Sequence, residues 1–136
     1  MINQPAPFPD EIDLGSAAAG DLALNTGTYQ GRPADYGLLV VQENRREAGS
    51  RRISLPLVRI RATSERPGPP VFFLRGGPGA PAIAYDMPPW VHADRDFIML
   101  GYRGVDGTVS LACPEMVEAY PDARPLAGES LRRIGA

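Results

Sequence analysis

The chain has no lysine: each of its 14 basic residues is an arginine, and they are balanced by 16 acidic residues. A phosphate-binding loop of the G-x-x-x-x-G-K type is therefore excluded, because it needs that lysine. The formal net charge of −2 also argues against binding of nucleic acid through bulk positive charge. We expect a protein that does not act on nucleic acid.

Cysteine and histidine are almost absent, with Cys113 and His92 as the single residue of each type. One cysteine cannot form a disulfide within the chain. One histidine and one cysteine do not make up the ligand set of a zinc site. We therefore expect no disulfide framework, no metal centre and no cofactor.

The N-terminal segment 1–15 lacks a basic region and an apolar run of about 7–15 residues, so it does not have the pattern of a signal peptide. No stretch approaches about 18 consecutive apolar residues, the length that spans a membrane. We expect a cytoplasmic protein that makes no use of a membrane, and secretion of a longer form is left open.

The length of 136 residues suits one domain, and 43% hydrophobic residues is ordinary for a globular protein. The 15 glycines and 15 prolines predict many loops. They interrupt segment 1–35 repeatedly, so we expect an irregular N-terminal arm there, with at most a short helical turn in 16–24. Residues 36–136 are expected to form the folded part.

Segments 36–43 and 51–63 predict an antiparallel strand pair with one solvated face, joined by a charged hairpin loop. In the second segment the alternation of apolar residues changes phase between Leu57 and Val58. Such a change predicts a β-bulge. Pro56 would then lie at that bulge or on a sheet edge, where a missing N–H does least harm.

Two short apolar segments, 71–74 and 96–102, predict strands that are buried on both faces and run parallel. Between them, 81–90 has room for no more than a short helix, because prolines at 88 and 89 would end it. The tail, 115–136, predicts two helices separated by a proline-rich break. The fold class is therefore α/β, with an antiparallel pair leading into parallel strands.

Each apolar strand ends in a glycine turn, and the first turn is Gly-Gly-Pro-Gly at 76–79. Glycine permits positive φ and lets the backbone approach a ligand closely. Backbone N–H groups presented in this way stabilise the negative oxygen that develops during acyl transfer. A tight turn that simply needs glycine is the alternative interpretation.

A dinucleotide site is a second alternative, because 77–82 matches G-x-G-x-x-A after a strand. Asp94 or Asp96 would then contact the ribose. That fingerprint, however, needs a helix whose first N–H groups face the pyrophosphate. Pro78 and Pro81 each remove one such donor.

Three motifs in the same order make residues 36–136 resemble the N-terminal part of α/β-hydrolase-fold serine peptidases of the proline iminopeptidase and tripeptidyl aminopeptidase type. They are RGGPG at 75–79, GYRGVDGT at 101–108 and LACPE at 111–115. The family has His-Gly-Gly-Pro-Gly, Asp-x-Arg-Gly-x-Gly-x-Ser and Leu-x-Cys-Pro-Glu at these places. This chain departs from the family pattern at Arg75, Gly101, Asp106 and Thr108.

The resemblance implies roles for the matching residues. Gly77 would supply one oxyanion N–H, and Gly76 would shape the turn. In this family a cysteine at the position of Cys113 can pair with another cysteine, which this chain lacks. Loop and turn geometry would depend on Pro78, Gly79, Arg103 and Gly104.

The catalytic triad of such an enzyme is not present. The fold needs a nucleophilic serine in Gly-x-Ser-x-Gly, followed by an acid and then a histidine. The nearest motif is GESLR at 128–132, where Arg132 replaces the second glycine and makes Ser130 a poor candidate. His92 precedes any candidate serine, so it does not fit the base.

We therefore expect an N-terminal fragment of a serine hydrolase, of aminopeptidase type, that carries part of the oxyanion hole and no triad. The substrate of the complete enzyme would be a peptide or a small amide or ester. A non-catalytic module that completes its sheet with a second chain is the alternative, followed by a dinucleotide-binding domain. An unfinished sheet also predicts poor solubility or association.

Overall fold

The computed structural model describes residues 8–77, 79–86, 88–107, 109, 111 and 114. This part of the chain is mostly one sheet with almost no helix. Five strands and one short 3₁₀ helix follow one another in the order β1 (Leu22–Tyr29), β2 (Arg32–Gln42), β3 (Arg52–Ile60), β4 (Gly68–Phe73), the 3₁₀ helix (Pro89–His92) and β5 (Arg95–Leu100).

The strand order across the sheet is β1-β2-β3-β5-β4. Neighbours are antiparallel from β1 through β2 and β3 to β5, whereas β4 and β5 are parallel. The predicted antiparallel pair and the predicted parallel pair are therefore both confirmed. The last strand in sequence lies inside the sheet, and β4 lies at the edge.

Strand β1 and the start of β2 correct the prediction of an irregular arm for residues 22–35, whereas the described residues 8–21 contain neither helix nor strand. In 16–24, where at most a short helical turn was expected, residues 22–24 belong to β1. Residues 22–29 pair along their whole length with β2, which begins at Arg32 and so starts before the predicted strand. The connection is a two-residue turn in which Gln30 and Gly31 both have positive φ, of 50° and 79°. Two such residues form the turn that matches the twist of a hairpin, so glycine here joins strands instead of interrupting structure.

Strand β3 contains no bulge. Its register with β2 is continuous from the Ala34–Ile60 pair to the Gln42–Arg52 pair, and residues 53–58 are all buried. The predicted solvated face is therefore also wrong for this strand. The change of apolar phase arises because both faces of β3 are covered, not because a residue is inserted.

Pro56 lies in the middle of the central strand, which the sequence did not predict. Its carbonyl accepts a hydrogen bond from the Gly101 N–H at 2.8 Å. The N and C=O of one strand residue point to the same side, so the missing N–H of Pro56 faces β5. The pairing of β3 with β5 ends at the Leu57–Leu100 pair, next to Pro56. The proline therefore removes no N–H donor from the paired region.

Strand β4 is an edge strand, so the prediction that 71–74 is buried on both faces is wrong. The side chains of Phe72 and Leu74 are 60% and 75% exposed. A register irregularity between Gly68 and Val71 interrupts its pairing with β5. Strand β4 therefore forms one edge of the described sheet, and β1 forms the other.

The main core lies on one face of the sheet. The loop that follows β4 returns across this face, where the ring of Tyr85 packs 4.3 Å from that of Phe73. Tyr85 also exchanges two hydrogen bonds with the hydroxyl of Tyr29, at 2.8 and 2.9 Å. Burying one large apolar side chain contributes about 1.5–3 kcal/mol. The buried centre consists of Ala34, Tyr36, Val58, Ile60, Phe97 and Met99.

The opposite face carries a network of ion pairs that joins β3 to its neighbours. The Arg59 guanidinium lies 2.6 Å from a carboxylate oxygen of Asp96 and 3.7 Å from one of Asp35. Arg61 pairs with Asp35 through two nitrogens. The Ala62 N–H donates to the second Asp96 oxygen at 2.9 Å. These contacts connect β2, the end of β3 and the beginning of β5.

The 3₁₀ helix begins where the sequence predicted that a helix would end. Pro89 is its first residue and Pro88 its N-cap. Proline suits this position, because the first N–H groups of a helix have no partner within it. No helix in the described ranges has the length and apolar character needed to cross a membrane.

Candidate functional site

The two glycine-rich segments lie at the same end of the sheet, where β4 and β5 finish. They are the β4 loop, residues 74–86, and the β5 turn, residues 101–107. Both directly follow the carboxyl ends of strands that are neighbours and parallel. In open α/β sheets, ligands bind in the crevice outside the carboxyl ends of parallel strands. This end of the sheet is therefore the candidate site.

Asp106 joins the two segments. Its carboxylate oxygen Oδ2 accepts hydrogen bonds from the Ala82 N–H at 3.1 Å and from the Tyr102 N–H at 3.0 Å. The residue is only 7% exposed. A charged acceptor makes a stronger hydrogen bond than a neutral one, so one buried carboxylate fixes the β4 loop to the β5 turn.

Tyr102 and Arg75 form a second connection. The Tyr102 hydroxyl donates to the Arg75 carbonyl at 2.8 Å. One guanidinium nitrogen of Arg75 then donates to the carbonyls of Pro81 and Ala84, at 3.1 and 3.0 Å. Arg75 stands where the resembled family has histidine, and here it holds the β4 loop from within.

The glycines of the β4 loop adopt conformations that other residues avoid. Gly77 has a φ of 95° and Gly79 a φ of 77°. The Gly77 carbonyl accepts from the Ala80 N–H at 3.1 Å, which closes a turn. Gly76 and Gly77 are both exposed, and within the described residues neither N–H has a hydrogen-bond acceptor. Two backbone donors at this end of the sheet are thus open to a ligand.

The β5 turn packs tightly against β3. A Cβ on Gly107, whose φ is 101°, would lie 2.3 Å from the Ser54 carbonyl oxygen. A Cβ on Gly101 would lie 2.6 Å from the Asp106 Cβ and 2.8 Å from the Pro56 ring. Glycine is required at both positions, and this close packing places the Asp106 carboxylate beneath the β4 loop.

Arg103 and Gly104 lie in the β5 turn, as expected, but the hydrogen bond of the Arg103 side chain goes to β2. Its guanidinium donates to the Gln42 carbonyl at the end of β2, at 3.3 Å. Gly104 has a φ of 78°, and its carbonyl accepts from the Leu111 N–H at 2.8 Å. These two residues connect the turn to its surroundings, while Tyr102 and Asp106 connect it to the candidate site.

Of the other hydrolase candidates from the sequence, the structure places only His92. His92 lies in the 3₁₀ helix between β4 and β5, the region that the sequence indicated. Pro78, Thr108, Cys113 and Ser130 lie outside the described residues. In the described part of the chain, no group of three His, Cys, Asp or Glu residues is placed to hold a metal ion.

The geometry needed for a dinucleotide site is not found. No helix begins within 79–86, the described residues that follow the glycine turn. Both candidate ribose contacts also bind arginine, since Asp94 pairs with Arg95 at 3.2 Å and Asp96 pairs with Arg59 at 2.6 Å. The hydrogen bond from Arg95 lowers the pKa of Asp94, and this favours the ion pair further.

Sequence reasoning missed the residues that hold the site together. Asp106, Tyr102 and the side chain of Arg75 counted only as departures from a motif or as variable positions. The available signal was an acidic residue within a glycine-rich turn after an apolar strand. A carboxylate that is buried in such a turn needs N–H donors nearby.

Comparison with protein-family models, with curated proteins and with solved structures gives no significant match to this chain. Its function is therefore inferred from the sequence motifs and from the geometry of the candidate site.

Proposed function

We propose that the chain is the N-terminal part of a serine hydrolase with an α/β-hydrolase fold, and that its β4 loop supplies the backbone donor of an oxyanion hole. The observation that carries the proposal is the pair of exposed N–H groups at Gly76 and Gly77. They lie at the end of a strand, in a loop whose position is fixed by Asp106 and Tyr102.

The fixed position matters because an oxyanion donor acts through preorganisation. Donors that already point to where negative charge develops cost no reorganisation during the reaction. One such donor is typically worth about 2.7–4 kcal/mol of barrier. The hydrogen bonds from Ala82 to Asp106 and from Tyr102 to Arg75 restrain the loop on both sides of Gly77.

The strand order supports the proposal, under which the nucleophile would follow a further strand beside β4. Among the described strands, β4 has a neighbour on one side only, and its free edge can pair with one more parallel strand. The carboxyl end of that strand would lie beside the β4 loop. In this fold the nucleophilic serine follows such a strand, at a sharp turn into a helix, so a serine beyond residue 136 would come close to Gly77.

The reaction class is acyl transfer. The serine hydroxyl oxygen would attack the substrate carbonyl carbon while a histidine takes the hydroxyl proton. The Gly77 N–H would hold the oxyanion of the tetrahedral intermediate. The amine or alcohol then leaves with that proton, and water hydrolyses the acyl-enzyme. The motif resemblance supports peptides as substrates, cleaved from the amino end, with small amides and esters as related ones.

A non-catalytic module is the second candidate, in which another chain completes the sheet. The exposed side chains of Phe72 and Leu74 at the β4 edge favour it, because a partner strand would cover them. Such a module would form a stable complex with a chain that carries Gly-x-Ser-x-Gly, and the complex would survive size-exclusion chromatography. A hydrolase encoded on one chain requires no such partner.

A fluorophosphonate probe, which labels activated serines, tests the hydrolase proposal. We expect no labelling of the 136-residue chain, and labelling that is lost on Ser130→Ala would contradict the absence of a triad here. In the longer protein, Gly77→Ala should lower kcat at least tenfold with little change in KM, because strain at positive φ displaces the donor. Gly49→Ala, at an exposed and open position, is the control; equal activity of both variants would contradict the proposal.

A further inference from the structure

Residues 8–17, the N-terminal arm that precedes β1, lie across the core face of the sheet and are held at both ends. At one end the ring of Phe8 packs edge-on against Tyr36, with ring centres 5.1 Å apart. At the other end the Arg52 guanidinium, which comes from β3, donates to the carbonyls of Ala17 and Gly15. The segment between these two contacts is therefore fixed over the sheet.

A cavity of about 620 Å³ remains between this segment and the sheet. Pockets that bind small molecules typically measure about 300–1,000 Å³ and are mostly apolar. Residues 8–15 of the arm form its outer wall. The sheet and the two loops at the candidate site contribute the remaining lining residues, which are Leu38, Ser54, Pro56, Ile83 and Gly107.

The lining combines apolar side chains with negative charge and has no basic residue among the described ones. Asp10 and Glu11 are exposed, and neither forms an ion pair or a hydrogen bond with any described residue. Asp13 already accepts hydrogen bonds, from the Ser16 hydroxyl at 2.6 Å and from the Gly15 N–H at 2.9 Å. Two carboxylates at the wall are thus available to a ligand.

We propose that this cavity binds an organic cation, a primary ammonium on a hydrocarbon chain. The hydrocarbon would lie against Leu38, Pro56 and Ile83, and the ammonium would meet the carboxylates of Asp10 and Glu11. An anion of the same shape would meet like charge, and a neutral alcohol would gain the apolar contact alone. The inference depends on the cavity and its charges, and not on the proposed hydrolase activity.

Isothermal titration of the 136-residue chain with hexylammonium, hexanol and hexanoate tests the inference at low ionic strength. We expect hexylammonium to bind at least tenfold more tightly than hexanol, and hexanoate not to bind. In the series from butylammonium to octylammonium, affinity should rise about fourfold per methylene, the ratio that corresponds to about 0.8 kcal/mol. Equal affinity for ammonium and alcohol, or no dependence on chain length, would overturn the proposal.

Variants locate the site. Asp10→Asn with Glu11→Gln should weaken hexylammonium binding at least tenfold and leave hexanol binding unchanged. Glu65→Gln with Asp86→Asn removes the same charge from exposed positions outside the cavity, and should have little effect. If both double variants weaken binding equally, the amine responds to overall charge, and the cavity is not its site. Hydrogen exchange of all variants verifies that the sheet stays folded.

Discussion

The carboxylate of Asp106 accepts a hydrogen bond from the Ala82 N–H at 3.1 Å, across 24 residues of sequence. The same oxygen accepts from Tyr102 in its own turn. One buried group thus makes the loop after β4 and the turn after β5 a single structural unit. The exposed donors of Gly76 and Gly77 belong to that unit.

The first prediction concerns this contact. Asp106→Ala leaves two N–H groups without their acceptor, and we expect a loss of about 1–3 kcal/mol in the free energy of unfolding. Asp106→Asn retains one acceptor oxygen and should lose less. Urea denaturation measures both. Asp86→Ala is the control, because Asp86 is exposed; a loss as large for that variant would show that Asp106 has no special role.

The second prediction separates backbone strain from steric contact at glycine. Gly79 and Gly107 both have positive φ, of 77° and 101°, but only Gly107 is crowded, since a Cβ added there would lie 2.3 Å from the Ser54 carbonyl oxygen. Strain alone should cost Gly79→Ala about 1–2 kcal/mol. Gly107→Ala should cost about 1–3 kcal/mol more, because β3 must also shift. Equal shifts of the urea midpoint would contradict the close packing of the β5 turn.

The existence of four strands followed from local sequence, because apolar runs such as 71–74 and 96–102 are bounded by glycine and proline. Their places in the sheet did not follow. Whether β4 or β5 lies at the edge depends on which strands pair, and that is a tertiary property that the composition of one segment does not contain. The exposure of Phe72 and the burial of both faces of β3 are consequences of this order.

The candidate site was predicted in part for a similar reason. The glycines at 76, 77 and 79 indicated a loop with open donors, since they permit positive φ. The contact between that loop and Asp106 joins two loops through tertiary structure, and no spacing in the sequence encodes it. Strand β1 was missed because Gly27 and Gly31 were interpreted as interruptions, whereas one lies in a strand and the other in a hairpin turn.

The third prediction concerns stability at acid pH. Burial raises the pKa of Asp96, but the hydrogen bond from the Ala62 N–H and the ion pair with Arg59 outweigh it, so the pKa lies below its ordinary value. A lowered pKa in the folded chain stabilises the fold above the unfolded pKa of about 3.9. That stability is lost as pH falls through the lower folded pKa.

Asp96→Asn should therefore reduce stability at pH 7 and flatten its decline as the pH falls below about 4. Urea denaturation at a series of pH values measures the slope. Asp86→Asn removes an exposed carboxylate that has no ion pair or hydrogen bond among the described residues, and its slope should match that of the parent chain. An unchanged slope for Asp96→Asn would contradict the assigned network.

The fourth prediction concerns association through the β4 edge. Phe72 lies in β4 and Leu74 directly follows it; they are 60% and 75% exposed, and β4 has one neighbour among the described strands. Exposed apolar edge strands pair with other chains, so we expect concentration-dependent association in sedimentation velocity. Phe72→Thr should reduce it. Trp90→Thr removes a side chain of the 3₁₀ helix that is 75% exposed; if it reduces association as much, the edge is not the contact.

The most direct test of the central claim is the coding DNA beyond the codon for Ala136, read in all three forward frames. The proposal that this chain begins a serine hydrolase predicts Gly-x-Ser-x-Gly after an apolar strand, within about 100–200 further residues. That strand would pair with the free edge of β4 and place its serine beside Gly77. Absence of such a motif from every frame would contradict the proposed hydrolase.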